Sequence, residues 1–165
     1  MNRIVKKLFM SSKSRLSQRI VFYVFLSVIA IETIILIPSY MKREQDLLLQ
    51  LREITSAQVE VIMNITGKDA SDTSLFDQVK QLKSSEDILG GTLYRKNGET
   101  VGTFGEPPEL SRTRIESGRD LNFRSDSGNR YDSAWYENEL GRNYVLILRQ
   151  NASSVNRDLF AYILR

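Results

Sequence analysis

The sequence predicts an α+β protein: an N-terminal transmembrane helix continuing into a long helix, then a small domain with a five-stranded antiparallel sheet and a C-terminal helix. Three observations predict it. Residues 20–41, IVFYVFLSVIAIETIILIPSYM, form an almost unbroken apolar run. Residues 42–65 are rich in Leu, Gln, Glu and Arg, all good helix formers, with apolar residues at heptad-like spacing. From Ile88 onward the pattern becomes short alternating runs separated by turn residues, which is the period of strands.

At 165 residues the chain has room for about one domain. Its charge is unevenly laid out. Arg3, Lys6, Lys7, Lys13, Arg15 and Arg19 precede Ile20 with no acid among them, and the net charge of +3 leaves everything after Arg19 at −3. The basic character therefore belongs to a short tail, which does not make a nucleic-acid-binding face.

The run 20–41 is close to the ~20 residues needed to cross a bilayer core. A buried soluble helix of that length would show a polar stripe, and this one shows almost none. Tyr23 and Tyr40 lie near its ends, where interfacial aromatics are expected. The positive-inside rule puts residues 1–19 in the cytoplasm and the rest of the chain outside. A cleaved signal peptide is the rival reading, with Val28 and Ala30 at positions −3 and −1 of the cleavage site. Cleavage there would leave another strongly apolar stretch, IETIILI, at the new N-terminus.

Glu32 falls near the centre of this run. A charged acid there costs about 2.5 kcal/mol or more, and protonation removes most of that cost. Phe25, Val28, Glu32, Ile35 and Ser39 share one helical face. Glu32 and Ser39 are thus candidates for transmembrane helix packing. The plainer alternative is a single acid tolerated in a sufficient span, and a proton or ion path usually needs several such groups. Pro38 predicts a kink one turn before the exit.

Beyond the run, Leu47, Leu51, Ile54, Gln58, Val61 and Ile65 recur at spacings of 4, 3, 4, 3 and 4. That spacing predicts a dimer seam, carried first by Leu47, Leu51 and Ile54, unless the helix packs on its own domain. Gly67 is the expected stop. Ser71, Asp72 or Thr73 then caps a short helix carrying Leu75, Phe76, Val79 and Leu82. Two strand-like runs flank Asn97-Gly98 within 88–104, the strongest short-range hairpin signal. A short helix is expected at about 109–116. Strands are expected at 119–124, where Leu121 and Phe123 alternate with polar residues, and at 129–137, around Tyr131, Trp135 and Tyr136. A third, 144–148, reads YVLIL, apolar on both faces and hence central. A turn at 138–142 contains Gly141, and Ser153 or Ser154 starts a last amphipathic helix. The helices are expected on one side of the sheet.

The chain has no Cys and no His. Disulfides, thiolate or His-ligated metal sites, Ser-His-Asp triads and a phosphoaccepting histidine are excluded. There is no P-loop, dinucleotide glycine fingerprint, HExxH or G-x-S-x-G elbow, and no enzyme, cofactor or metal is expected. A ligand site is more plausible. Anion capture needs a guanidinium or backbone donors beside aromatic walls. Tyr94, Arg124, Tyr131, Trp135 and Tyr144 are the candidate ligand-binding residues, against the alternative that strand aromatics form the core and Arg124 is solvated.

Two stretches carry a family resemblance: GTLYRKNGETVGTFGEPPEL, 91–110, and RYDSAWYENELGRNYVLILRQNASSVNRDLF, 130–160. The first resembles the strand, Asx-Gly turn and strand of the single Cache, or extracytoplasmic PAS-like, sensor domains of bacterial transmembrane receptors. The second resembles their closing strands and the helix that returns to the membrane. The resemblance is one of layout more than of signature residues. It implies a cytoplasmic tail (1–19), a transmembrane helix (20–41), a signalling helix (42–66), a PAS-like domain (67–152) and the start of a helix leading to a second span (153–165). It further implies a bacterial inner-membrane location, the sensor half of a receptor such as a histidine kinase or nucleotide cyclase, cut before its output, and a homodimer in the lipid bilayer. The implied ligand is a small organic acid or amino acid. The alternative is a complete, single-span anchored adaptor with no output domain; an extracytoplasmic enzyme ranks third.

Overall fold

The computed structural model describes residues 3–67, 69–116 and 122–164. The chain divides into two units, Met1–Arg43 and Glu44–Arg165. Helix α1, Arg3–Ile65, contributes to both.

In the first unit the apolar run is helical throughout, and its best 18-residue window has a mean hydropathy of 2.7 with none of it buried. Side chains such as Phe22 and Ile34 are 61% and 70% exposed. The helix is long and apolar enough to cross a membrane. Helical assignment continues through Pro38. The hydroxyls of Ser27, Thr33 and Ser39 each donate to a carbonyl of their own helix, those of Val24, Ile29 and Ile35, at 2.8 Å.

The second unit holds an antiparallel sheet in the order β2-β1-β5-β4-β3. The strands are β1 Ile88–Arg95, β2 Thr100–Gly105, β3 Asn122–Arg124, β4 Arg130–Trp135 and β5 Tyr144–Asn151. The other helices are α2 Asp72–Lys80, α3 Arg112–Glu116, α4 Glu137–Leu140 and α5 Ser153–Ile163, with a 3₁₀ turn at Gln81–Ser84. β5 is central and buried from Val145 to Gln150, as its two-sided apolar pattern requires. The β1–β2 turn has Gly98 at φ 94°, and the Asn97 side-chain oxygen accepts the Glu99 N–H at 3.0 Å.

On one face of the sheet Leu93, Phe104, Trp135, Leu146 and Leu148 form the main core with Val59 and Met63 of α1, Leu75 and Val79 of α2, and Leu140 of α4. On the other, Ala134, Val145 and Ile147 are covered by Leu110 and by Ile115 of α3. Helical elements therefore cover both faces, and the expectation of one covered side is corrected. The reason is Asp132. Its carboxylate accepts the backbone N–H groups of Glu109 at 2.6 Å and Leu110 at 3.0 Å, which fixes that segment over the second face. The same bonds hold 109–110 out of the predicted helix, which begins only at Arg112.

The strand expected at 119–124 is described from Asn122; residues 119–121, Leu121 among them, lie outside the described residues. The strand expected at 129–137 stops at Trp135, where a predicted turn becomes α4. The Glu139 carboxylate accepts the Tyr136 N–H at 3.1 Å, and Gly141 at φ 65° ends the helix.

Among the described side chains of α1, the buried ones are Leu47, Leu51, Thr55, Val59 and Met63. Steps of four advance about 40° each around a helix of 3.6 residues per turn, so this stripe winds away from the predicted seam. Leu47 and Leu51 are covered by their own domain, whereas Ile54, Val61 and Ile65 stay 57%, 54% and 70% exposed.

Candidate functional site

A cleft of about 550 Å³ opens where the β1–β2 turn meets the residues before β5. Arg95, Lys96 and Asn97 line one side, and Arg142, Asn143 and Tyr144 the other. Three cations thus share one cleft with no acid among its lining residues.

Each cation is positioned from a different element. Arg95 ends β1, and its Nε donates to Asp72, the first residue of α2, at 2.7 Å; its guanidinium also pairs with Glu99. Lys96 stands 3.1 Å from Glu137 of α4. Arg142 follows the α4 stop at Gly141 and donates to the carbonyl of Met63 at 2.8 Å and to that of Thr66. Helix C-terminal carbonyls lack intrahelical partners and favour a cation. The last turn of α1 has no basic residue of its own, so Arg142 supplies that charge from across the cleft wall.

Tyr144 closes the arrangement by donating its hydroxyl to Asp72. That bond, helped by Arg95, holds the Asp72 carboxyl below its ordinary range. The same bond, with partial burial, pushes the Tyr144 hydroxyl up. Ammonium, guanidinium and amide donors around a cleft of this size suit a small oxyanion such as a carboxylate.

Of the five residues expected to bind ligand, Tyr144 lines this cleft. The strand register puts Arg124, Tyr131, Trp135 and Tyr144 on the α1 side of the sheet and Tyr94 on the other. Tyr94 packs half-buried beside the smaller cluster. Tyr131 and Trp135 are core, 3% and 2% exposed. The Trp135 indole N–H donates to Ser56 Oγ at 2.9 Å, and the Arg52 guanidinium stacks 5.5 Å from its ring centre. Arg124 is occupied by Glu44, Asn156 and the Gly128 carbonyl. In the first unit Glu32 is exposed, and the Ser39 hydroxyl is spent on its own helix.

The sequence reading missed Arg95, Lys96 and Arg142 as site residues. Their only signal was position in or beside turns, and the turns are far apart in sequence.

A second polar centre lies on the far face. Arg149, buried beneath the 106–110 segment, bonds Asp132 at 2.8 Å, Glu106 at 3.2 Å and Glu109 at 3.0 Å. Arg130, aided by Arg149, holds the Glu106 carboxyl below its ordinary range. This network fixes a surface segment over the sheet. On the α1 side, both amide atoms of Gln150 are buried without a hydrogen-bond partner among the described residues.

No protein-family model, no curated protein and no solved structure matches this chain. Its class is an α+β domain on a helix of membrane-crossing length.

Proposed function

We propose that this chain is the sensory part of a bacterial membrane signal-transduction receptor. Residues 1–19 are its cytoplasmic tail, 20–41 its span through the inner membrane, and 67–152 an extracytoplasmic PAS-like domain of the Cache type. Its ligand is a small organic acid or amino acid. The basic tail before an apolar run supports the orientation. The α+β order with an antiparallel sheet supports the domain type.

The observation that carries the reading is Arg142, which lines the cleft while holding the carbonyls of Met63, in the last turn of α1, and Thr66, just beyond it. An anion in the cleft competes with those carbonyls for the same guanidinium. Binding then favours one setting of the α1 end over another, and differential affinity for two settings is what a ligand needs to shift an equilibrium. The displacement travels along α1 toward the membrane.

The test is calorimetric titration of the full chain in nanodiscs with single amino acids, monocarboxylates and dicarboxylates. One class is expected to bind, with Arg142→Gln and Lys96→Gln each weakening it about tenfold, the loss of one charge-assisted bond. Binding indifferent to both variants overturns the cleft assignment. Failure of every compound overturns the ligand class.

A further inference from the structure

We infer that Asn97 is a self-modification site: its side-chain amide closes on the backbone nitrogen of Gly98 and becomes a carboxylate inside the cationic cleft, where it weakens anion binding. The modification stands on the turn alone, and its effect on anions rests on the proposed reading of the cleft.

The sequence supplies the reactive pair. Asn97 is the one asparagine of the chain followed by glycine. A side chain on the following residue hinders the approach of its nitrogen to the asparagine Cγ, and glycine has none. The turn itself demands that glycine, since Gly98 has φ 94°.

The structure supplies the setting. Asn97 Oδ1 accepts the Glu99 N–H at 3.0 Å, which lays the amide along the backbone beside Gly98 and polarises its carbonyl toward attack. Residues 95–100 are exposed. The Gly98 N–H is held by the Arg95 carbonyl at 3.0 Å, and an exposed turn tip opens locally at little cost. Asn97 lines the cleft with Arg95, Lys96 and Arg142. Their charge favours the anion formed when the Gly98 nitrogen loses its proton, and the oxyanion formed when it attacks.

Asn151 is the contrast within the same chain. Its Oδ1 accepts the Ser153 N–H at 3.1 Å, also two residues on. The residue between is Ala152, which is fully buried and donates its N–H to the Asn129 carbonyl at 2.9 Å. That nitrogen carries a hindering side chain and sits in the packed start of α5.

The chemistry consumes only water. The Gly98 nitrogen, deprotonated by hydroxide, bonds to Asn97 Cγ. The Cγ–Nδ2 bond breaks, and the nitrogen leaves as ammonia with a proton from water. Water then adds to either carbonyl of the five-membered succinimide and opens it, leaving an aspartyl or isoaspartyl residue at position 97. Nothing is oxidised or reduced. Either product sets a carboxylate among the cleft cations, where it competes with an anionic ligand for the same donors.

The full chain in nanodiscs is incubated at mildly alkaline pH and digested, and each asparagine-containing peptide is followed by mass for conversion of amide to acid. Position 97 is expected to convert about tenfold faster than Asn138, Asn143 or Asn151. Equal or slower conversion at 97 overturns the site. Calorimetric titration with succinate then compares the unmodified chain with Asn97→Asp, which is expected to bind about fivefold more weakly. Unchanged or tighter binding by the variant overturns the effect on the cleft and leaves the modification site standing. Conversion at 97 with succinate bound by neither chain sinks the effect on this anion class together with the ligand reading, and keeps the site.

Discussion

Arg124, on the edge strand β3, is ion-paired with Glu44 of α1, although the two are 80 positions apart. The same guanidinium donates to the Asn156 side-chain oxygen of α5 and, from Nη2, to the Gly128 carbonyl at 3.1 Å. One side chain thus joins the helix that begins the second unit to the helix that ends it. Both partners are mostly covered, 18% and 27% exposed, so solvent screens the pair only partly. Arg124→Gln is expected to lower stability by roughly 1.5–3 kcal/mol, the range for hydrogen bonds to charged groups. Chemical denaturation of both single variants and the double variant with Glu44→Gln measures the coupling. Strictly additive losses would show that the two side chains do not act together.

The Asp72–Tyr144 contact sets a pH window. Asp72 is lowered in the fold, so its contribution is present above the unfolded carboxyl value near ~4 and is lost as pH falls through the lower folded value. Tyr144 is raised, so its contribution is present below the unfolded phenol value near ~10 and is lost as pH rises through the folded one. Tyr144→Phe is expected to cost roughly 1 kcal/mol at neutral pH and to flatten the alkaline fall of stability. Melting temperature against pH for both proteins checks it. An unchanged alkaline limb refutes the assignment to Tyr144.

Asp132 has two roles, pairing Arg149 and accepting two backbone N–H groups from 109–110. Removing one partner of a buried pair costs about 3–5 kcal/mol, because the other charge is stranded. Asp132→Ala is expected to fall in that range and to speed amide hydrogen exchange at Leu110 more than at Leu93. Uniform acceleration across the sheet would mean that the carboxylate does not fix the segment.

Gln150 leads to a stabilising change. Its amide is fully buried with neither atom partnered among the described residues. An unmet buried polar group costs about 1–3 kcal/mol. Gln150→Leu, of similar size, is expected to raise stability by about 1 kcal/mol in denaturant titration. A loss of stability would contradict the reading of this amide as unsatisfied.

Much of the fold was legible because its signals are local. The 97–98 turn and the two-sided apolar run of β5 each report a backbone preference or a burial pattern within a few residues. The failures share a cause. Residues 109–110 look helical by composition, but their N–H groups are claimed by Asp132, more than twenty positions away. The strand aromatics looked like pocket walls, but whether Tyr131 and Trp135 are core depends on what lies over that face. Alternation gives the face and not its cover.

By itself the sequence determined an α+β order, a helix of membrane-crossing length with a basic tail before it, and the exclusion of histidine and cysteine chemistry. These follow from composition and short-range periodicity, which a chain carries wherever it folds. Only the tertiary structure decided which side of α1 is buried, that Arg124 serves Glu44, and that Arg95, Lys96 and Arg142 meet in one cleft. Each depends on strand order and on the angle at which a helix meets a sheet. Those are settled by close packing of residues distant in the chain, where no local pattern reaches.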